Sequence, residues 1–302
     1  FVILLFAVKQ FSYNRYCKWR GLNRYIYYKK FEVIIVLIDF HTHIFPDKVA
    51  PAAIKSLKQG MKDAGNEVYN EHSDGTADGL KRLMKETGVD KSIILPIATK
   101  ESQTESINAF AKRMRCDEIE PFATVYPLGK NAIDTVERIA EDGFKGIKIH
   151  HEFQMLDVDS EQSIRILKKA EELGLMVVIH AGSDIGFSGP VRCTPKKIHN
   201  VLGEVSGKNI IAAHLGGFDM WDDVMKYLVG TPIYMDTAFL SLFIDKKMYR
   251  DIIKEHGSDK ILFGSDNPWE NPADTLQALK ELKLSDEEYE NITFKNAKRL
   301  LE

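Results

Sequence analysis

Val33-Ile34-Ile35-Val36-Leu37-Ile38-Asp39 runs through Phe40 into His41-Thr42-His43. A short apolar run rich in β-branched residues reads as a strand buried on both faces. It ends on two histidines two residues apart, which extended backbone turns to the same side. The pattern returns down the chain. Met176-Val177-Val178-Ile179 ends in His180, Ile210-Ile211-Ala212-Ala213 ends in His214, and Ile261-Leu262-Phe263 passes through Gly264-Ser265 to Asp266. A closed barrel of parallel strands carries all its strand C-termini to one rim, where residues far apart in sequence meet. Three histidine-bearing strands and one aspartate there describe a site for a divalent metal with a position open to water.

The spacing between these strands supports a barrel. Eight strand candidates stand at Val33–Asp39, Ser92–Pro96, Pro121–Val125, Gly146–His150, Met176–His180, Ile210–His214, Ile233–Asp236 and Lys260–Gly264. Between them lie helical patterns at Ala77–Thr87, Ser102–Arg115, Ala132–Glu141, Glu161–Leu173, Pro195–Leu202, Trp221–Leu228, Lys246–His256 and Pro272–Lys280. Strand–helix alternation implies a parallel sheet, and eight units imply closure. Gly88, Gly143, Gly174 and Gly257 fall where helices end before the next strand, the expected C-cap position. Ser285 and Glu288 have capping-box spacing at the start of a closing helical tail. The fold class read from the sequence is therefore α/β, a (β/α)8 TIM barrel with a metal site at its C-terminal strand rim.

Length agrees. The 302 residues exceed the roughly 250 of one such barrel. A hydrophobic content of 44% and a net charge of −3 are those of an ordinary globular protein, which turns the search for partners toward a small-molecule substrate and away from nucleic acid or membrane. Cys17, Cys116 and Cys193 form no CxxC pair and suit a reducing, cytoplasmic setting. A homodimer is left open. Residues 1–36 differ, holding seven basic residues and one acid with no helical or strand period between Phe11 and Phe31. The expectation is an N-terminal extension outside the fold, upstream sequence read from an early start, with the domain spanning 37–302. An anchor is the competing reading, but Phe1–Val8 is too short an apolar run to span a bilayer.

Each candidate ligand has an ordinary reading when taken alone. An isolated HxH is common, a histidine ending a strand is usually a hydrogen-bonded structural one, and Asp266 after Gly-Ser suits an Asx-turn. Recurrence at the same strand-end position favours the joint metal reading. Together, the HxH, the two later histidines and the aspartate resemble the amidohydrolase superfamily. The forms Ile-Asp-Phe-His-Thr-His, Val-Ile-His-Ala-Gly, Ala-His-Leu-Gly-Gly and Phe-Gly-Ser-Asp-Asn-Pro are similar to its amidohydrolase-related branch, as is the closing Asn291–Leu301. That branch holds metal-dependent hydrolases alongside aminocarboxymuconate-semialdehyde decarboxylase and related aromatic-acid decarboxylases.

The resemblance implies His41, His43 and His180 as metal ligands, Asp266 as a further ligand with a catalytic part, and His214 as a catalytic proton carrier. It implies a divalent metal, one Zn2+ by first choice from mixed nitrogen and oxygen ligation, with Mn2+ or Fe2+ as alternatives. Gly146-Ile147-Lys148-Ile149-His150 puts Lys148 and His150 on one face, as second-metal or substrate-binding groups. In two-metal members a lysine at this strand end is carbamylated, and one ion is the favoured reading here. Arg192, in the glycine-rich loop after the His180 strand, is a candidate carboxylate clamp and equally a solvated loop arginine. The expected activity is hydrolysis of a C–N or C–O bond through a metal-bound water. The alternative is non-oxidative decarboxylation of an aromatic or unsaturated carboxylic acid. A barrel with a purely structural metal is the third reading, opposed by the open ligand set.

Overall fold

The computed structural model describes residues 36–302. The expected extension, apart from Val36, lies outside the described residues, as do Val33–Ile35 of the expected first strand.

The first described strand, β1 (Ile38–Thr42), leaves Val36 and Leu37 outside it, runs past Asp39 and carries His41 within it. The reason is partnering: Ile38 and Asp39 pair with Lys91 and Ser92 of β2 (Lys91–Ile94), and Thr42 pairs with Ile94. The register shifts between Asp39 and Thr42, a bulge-like irregularity. Next come β3 (Ile119–Pro121) and β4 (Ala123–Thr124), one run interrupted at Phe122. The remaining strands are β5 (Gly146–Ile149), β6 (Met176–Ile179), β7 (Ile210–Ala212), β8 (Tyr234–Asp236) and β9 (Ile261–Leu262). All neighbours pair in parallel, in the orders β1-β2-β3 and β4-β5-β6-β7-β8-β9.

Backbone bonds join the last strand to the first. Phe40 N–H donates to the Phe263 carbonyl at 2.7 Å, Asp266 N–H to the His41 carbonyl at 2.8 Å, and His43 N–H to the Asn267 carbonyl at 2.7 Å. The nine segments thus make eight barrel positions, and the fold is a (β/α)8 barrel.

Alternation along each strand sorts two cores. Ile38, Phe40, Ile93, Leu95, Phe122, Val178, Ile211 and Leu262 form an inner cluster, while Ile147, Ile149, Val177, Ile179, Ile210 and Ala212 join the larger cluster under the helices. Because Ile147 and Ile149 face the helices, the period of two turns Lys148 inward. The helices follow the sequence reading closely. Ala77–Thr87 buries Leu80, Leu83 and Met84, is capped by the Thr76 side chain, and ends on Gly88 at φ +76°. Ala132–Glu141 and Lys246–His256 occupy the expected ranges, and Ser285 with Glu288 forms the expected capping box.

Two helices escaped the sequence reading, the short His151–Gln154 and the longer Ala50–Asp63. Ala50–Asp63 has Pro51 in its first turn and buries Ala50, Ile54 and Met61. Among the described residues, no helix is long and apolar enough to cross a membrane.

Candidate metal centre

The barrel carries His41 and His43 at the end of β1, His180 just after β6, His214 just after β7 and Asp266 four residues past β9. They meet at the C-terminal rim in two adjoining groups. In the first, His41 Nε2 stands 3.2 Å from His43 Nε2 and 3.3 Å from Asp266 Oδ1, and His43 Nε2 stands 3.0 Å from the same oxygen. In the second, His214 Nε2 stands 3.1 Å from His180 Nδ1. The His41 and His214 rings, 5.3 Å apart between centroids, connect the two groups.

The other nitrogen of each ring fixes which atoms carry protons. His41 Nδ1 faces Asp236 Oδ2 at 2.8 Å, His43 Nδ1 faces the Leu95 carbonyl at 2.8 Å, and His214 Nδ1 faces the Ala238 carbonyl at 2.9 Å. His180 Nε2 faces the Ser183 carbonyl at 3.2 Å. A carboxylate or carbonyl only accepts, so each of these nitrogens is the protonated one in a neutral ring. The inward nitrogens are therefore bare lone pairs. His41 meets His43 lone pair to lone pair, both meet a carboxylate oxygen, and His180 meets His214 in the same way.

A bound cation reconciles such contacts. Protonating a ring would supply one, but burial and the Lys148 charge hold His41 well below the ordinary histidine range, and burial with the neighbouring His150 does the same to His180. Burial pushes Asp266 upward, yet the adjacent His41 and His43 pull it below the usual carboxylate range. The spacing of His41, His43 and Asp266 suits a metal: atoms placed tetrahedrally about 2.1 Å from zinc stand roughly 3.4 Å apart. Ligating imidazoles that donate their other N–H to a carbonyl or carboxylate are the usual arrangement around such ions.

The amidohydrolase family model matches residues 38–302, which takes in every one of these side chains. The chain belongs to the amidohydrolase family. Its barrel is that of the solved amidohydrolase-type structures. It is similar to a dihydroxybenzoic acid decarboxylase from Polaromonas with bound manganese and the inhibitor 2-nitroresorcinol, at 16% identity over 88% of this chain and 96% of that one, with a TM-score of 0.61. It is similar to 5-carboxyvanillate decarboxylase from Sphingomonas paucimobilis, at 14% identity over 88% and 98% of the two chains (TM-score 0.61). It is also similar to a probable 2-pyrone-4,6-dicarboxylic acid hydrolase from Acinetobacter baumannii with citric acid bound, at 16% identity over 87% and 98% (TM-score 0.60). At these identities the likeness is one of fold. No curated protein matches the chain.

Within this amidohydrolase barrel Lys148 lies beside the centre. Its side chain is 1% exposed, and Nζ approaches His41 Nε2 at 3.2 Å, its hydrogen-bond partner among the described residues. Burial lowers its pKa to about 8 against the pull of Asp236 and Asp266. Asp236, which the sequence reading passed over, is fully buried. Besides His41 it accepts the backbone N–H groups of His214 at 2.9 Å and Ala238 at 3.1 Å.

His150 sits beside the centre without joining it. It stacks on His180 with centroids 4.2 Å apart and planes at 12°, and its Nε2 donates to Asp184 Oδ2 at 3.0 Å. His150, His180 and Asp184 are close enough to suggest a second ion. Two features oppose it: parallel stacked rings do not aim their lone pairs at one point, and His180 Nε2 already donates to Ser183. Glu152, two residues on, is buried and raised to about 7 by that burial; it accepts the Arg192 and Cys193 amides at 3.0 and 3.3 Å.

Arg192 is not brought to the histidines. Its guanidinium faces Asp157 at 3.5 Å, because the loop around Arg192 also bonds through its carbonyl to Val158 N–H. Gln154 ties the carbonyls of Ala98 and Val125 together at 2.8 and 2.9 Å, a bracing role beneath the rim.

Proposed function

We propose that this chain is a metal-dependent carboxy-lyase that removes carbon dioxide from a small aromatic or unsaturated carboxylic acid. The observation that carries the reading is Lys148. A buried ammonium needs a partner, and an isolated one is costly enough to lose its proton. The partner it has is a histidine lone pair, and that atom is one of those turned toward the ion site. With His41 Nε2 committed to an ion, Lys148 is left facing the site as a buried donor suited to an anion, such as the carboxylate of the substrate.

His41, His43, His180 and Asp266 would hold the ion, a single Zn2+ or Mn2+. Bound there, it would act as a Lewis acid toward a substrate oxygen. His214 is held by Ala238 in the tautomer that leaves Nε2 free to accept a proton and return it to the substrate carbon. Its ring lies 6.1 Å from that of Phe218, which packs in turn against Phe239 and Phe243, so a largely buried aromatic cluster starts beside the proton carrier. An unsaturated substrate suits such surroundings. The decarboxylases among the similar folds support the same choice.

Hydrolysis is the second reading, favoured by one feature: the lone pairs form two groups with Lys148 next to the first. A carbamylated Lys148 bridging two ions would fit it. The test is incubation of the metal-loaded protein with a panel of hydroxybenzoic and unsaturated acids, following carbon dioxide, beside a panel of esters, amides and lactones. Carbon dioxide release whose KM rises in Lys148→Met, with the ion retained, would support the carboxy-lyase. Turnover of lactones or amides alone, with two ions per chain and the added mass of carbon dioxide on Lys148, would overturn it in favour of the hydrolase.

A further inference from the structure

Asp39 and Ser265 lie beneath the ion site on the two strands that close the barrel. Asp39 stands two residues before His41, and Ser265 immediately precedes Asp266. Both are buried, at 1% and 0% exposure. Asp39 Oδ2 accepts the Ser265 hydroxyl at 2.5 Å, and Oδ1 accepts the backbone N–H groups of Ser265 at 3.0 Å and His41 at 3.1 Å. The Ser265 oxygen in turn accepts the N–H of Asn267 at 3.1 Å. One carboxylate–hydroxyl pair therefore holds the backbone on both sides of Asp266 and the amide of His41.

Asp266 needs such support. Its φ is +66°, in the left-handed region that a residue with a side chain occupies only when its surroundings hold it there. Backbone pairing alone would close the barrel, since Phe40 N–H already reaches the Phe263 carbonyl. The Asp39–Ser265 contact lies two residues further on, between that bond and the bond from Asp266 N–H to the His41 carbonyl, where the ligand atoms must be placed.

We infer that Asp39 and Ser265 act as one clasp that sets the spacing between His41 and Asp266, and through it the affinity of the centre for its ion. They are positioning residues and touch neither ion nor substrate. The inference rests on the metal reading of the centre. Outer-shell partners of this kind are worth about 10- to 100-fold in metal affinity when removed.

The experiment is a Co2+ titration of the metal-free full chain, reading both affinity and the visible spectrum, which reports ligand geometry. Ser265→Ala and Asp39→Ala are expected to weaken Co2+ by about 10-fold or more and to change the spectrum. Asp39→Asn, which keeps an acceptor for the two backbone amides, is expected to lose less than Asp39→Ala. The double variant Asp39→Ala/Ser265→Ala is expected to be no weaker than the worse single one, because the partners form one unit. Thermal unfolding of each metal-free variant identifies any that fail to fold, and Ser265→Ala, a one-atom deletion, carries the test if Asp39→Ala does. Wild-type affinity and spectrum in folded Ser265→Ala would overturn the clasp, as would fully additive losses in the double variant. Wild-type protein that binds neither Co2+ nor Zn2+ would instead overturn the metal reading, and the clasp with it.

Discussion

His41 donates its Nδ1–H to Asp236 Oδ2 across 2.8 Å, with the two side chains 195 residues apart in sequence and both buried. The same carboxylate holds the backbone N–H of His214 through its other oxygen. One anion thus fixes the tautomer of a ring on β1 and the placement of a ring after β7.

Asp236→Asn replaces that acceptor with an amide that can equally offer a donor, so His41 is no longer held with Nε2 bare. The expected loss is about 10- to 100-fold in affinity for Zn2+, measured by competition with a chromogenic chelator. Unchanged affinity would mean that the His41 tautomer is set elsewhere.

The division between His180 and His150 gives a sharper contrast. His180→Ala removes an inward lone pair and is expected to reduce bound metal, by elemental analysis, from about one ion per chain to well below it. His150→Ala removes a ring whose Nε2 is spent on Asp184, and metal content is expected to stay at the wild-type level. If His150→Ala also lost the ion, the stacked pair would have to be counted among the ligands.

Much of the architecture was legible because a barrel repeats its signal. Eight apolar runs and their helices each announce themselves locally, and the ligand residues end those runs. The helix Ala50–Asp63 was missed although Ala50 and Ile54 have the spacing of one face, since Pro51 and Gly60 make the segment read as a loop. Among the described residues, Val36 and Leu37 are as apolar as the strand itself, and only pairing with Lys91–Ile94 sets its start at Ile38. Asp39 and Ser265 stand inside the quoted motifs but, like Asp236, drew no role from them. Their importance lies in contacts spanning 195 and 226 residues, and an aspartate in a strand looks the same whether it braces a histidine or meets solvent. Arg192, read equally as a clamp or as a solvated loop arginine, faces Asp157.

Lys148 separates binding of substrate from binding of metal. Lys148→Met keeps the length of the side chain and removes the ammonium. Charged hydrogen bonds are worth about 1.5–3 kcal/mol, so the expected effect is about a 10- to 100-fold rise in KM for a carboxylate substrate with metal content retained. A variant stripped of metal would point to a carbamylated lysine as a ligand.

Two histidines away from the centre predict how the fold responds to acid. His151 is fully buried against Ser163, and its pKa falls to about 3; His256 donates to the Ile233 carbonyl, and burial lowers it to about 4. Both are neutral in the folded chain and titrate near 6.5 when unfolded. The unfolded chain therefore binds more protons below that value. Their contribution to stability is complete above about pH 6.5 and is lost as pH falls toward the folded values. At 1.36 kcal/mol per pH unit, each accounts for about 2 kcal/mol of destabilisation between pH 6.5 and pH 5. His256→Gln keeps a donor for Ile233 but does not titrate. In urea unfolding at pH 7 and pH 5, the loss of stability on acidification is expected to be about 2 kcal/mol smaller in His256→Gln than in wild type. Equal losses in the two proteins would show that His256 is reached by protons without unfolding.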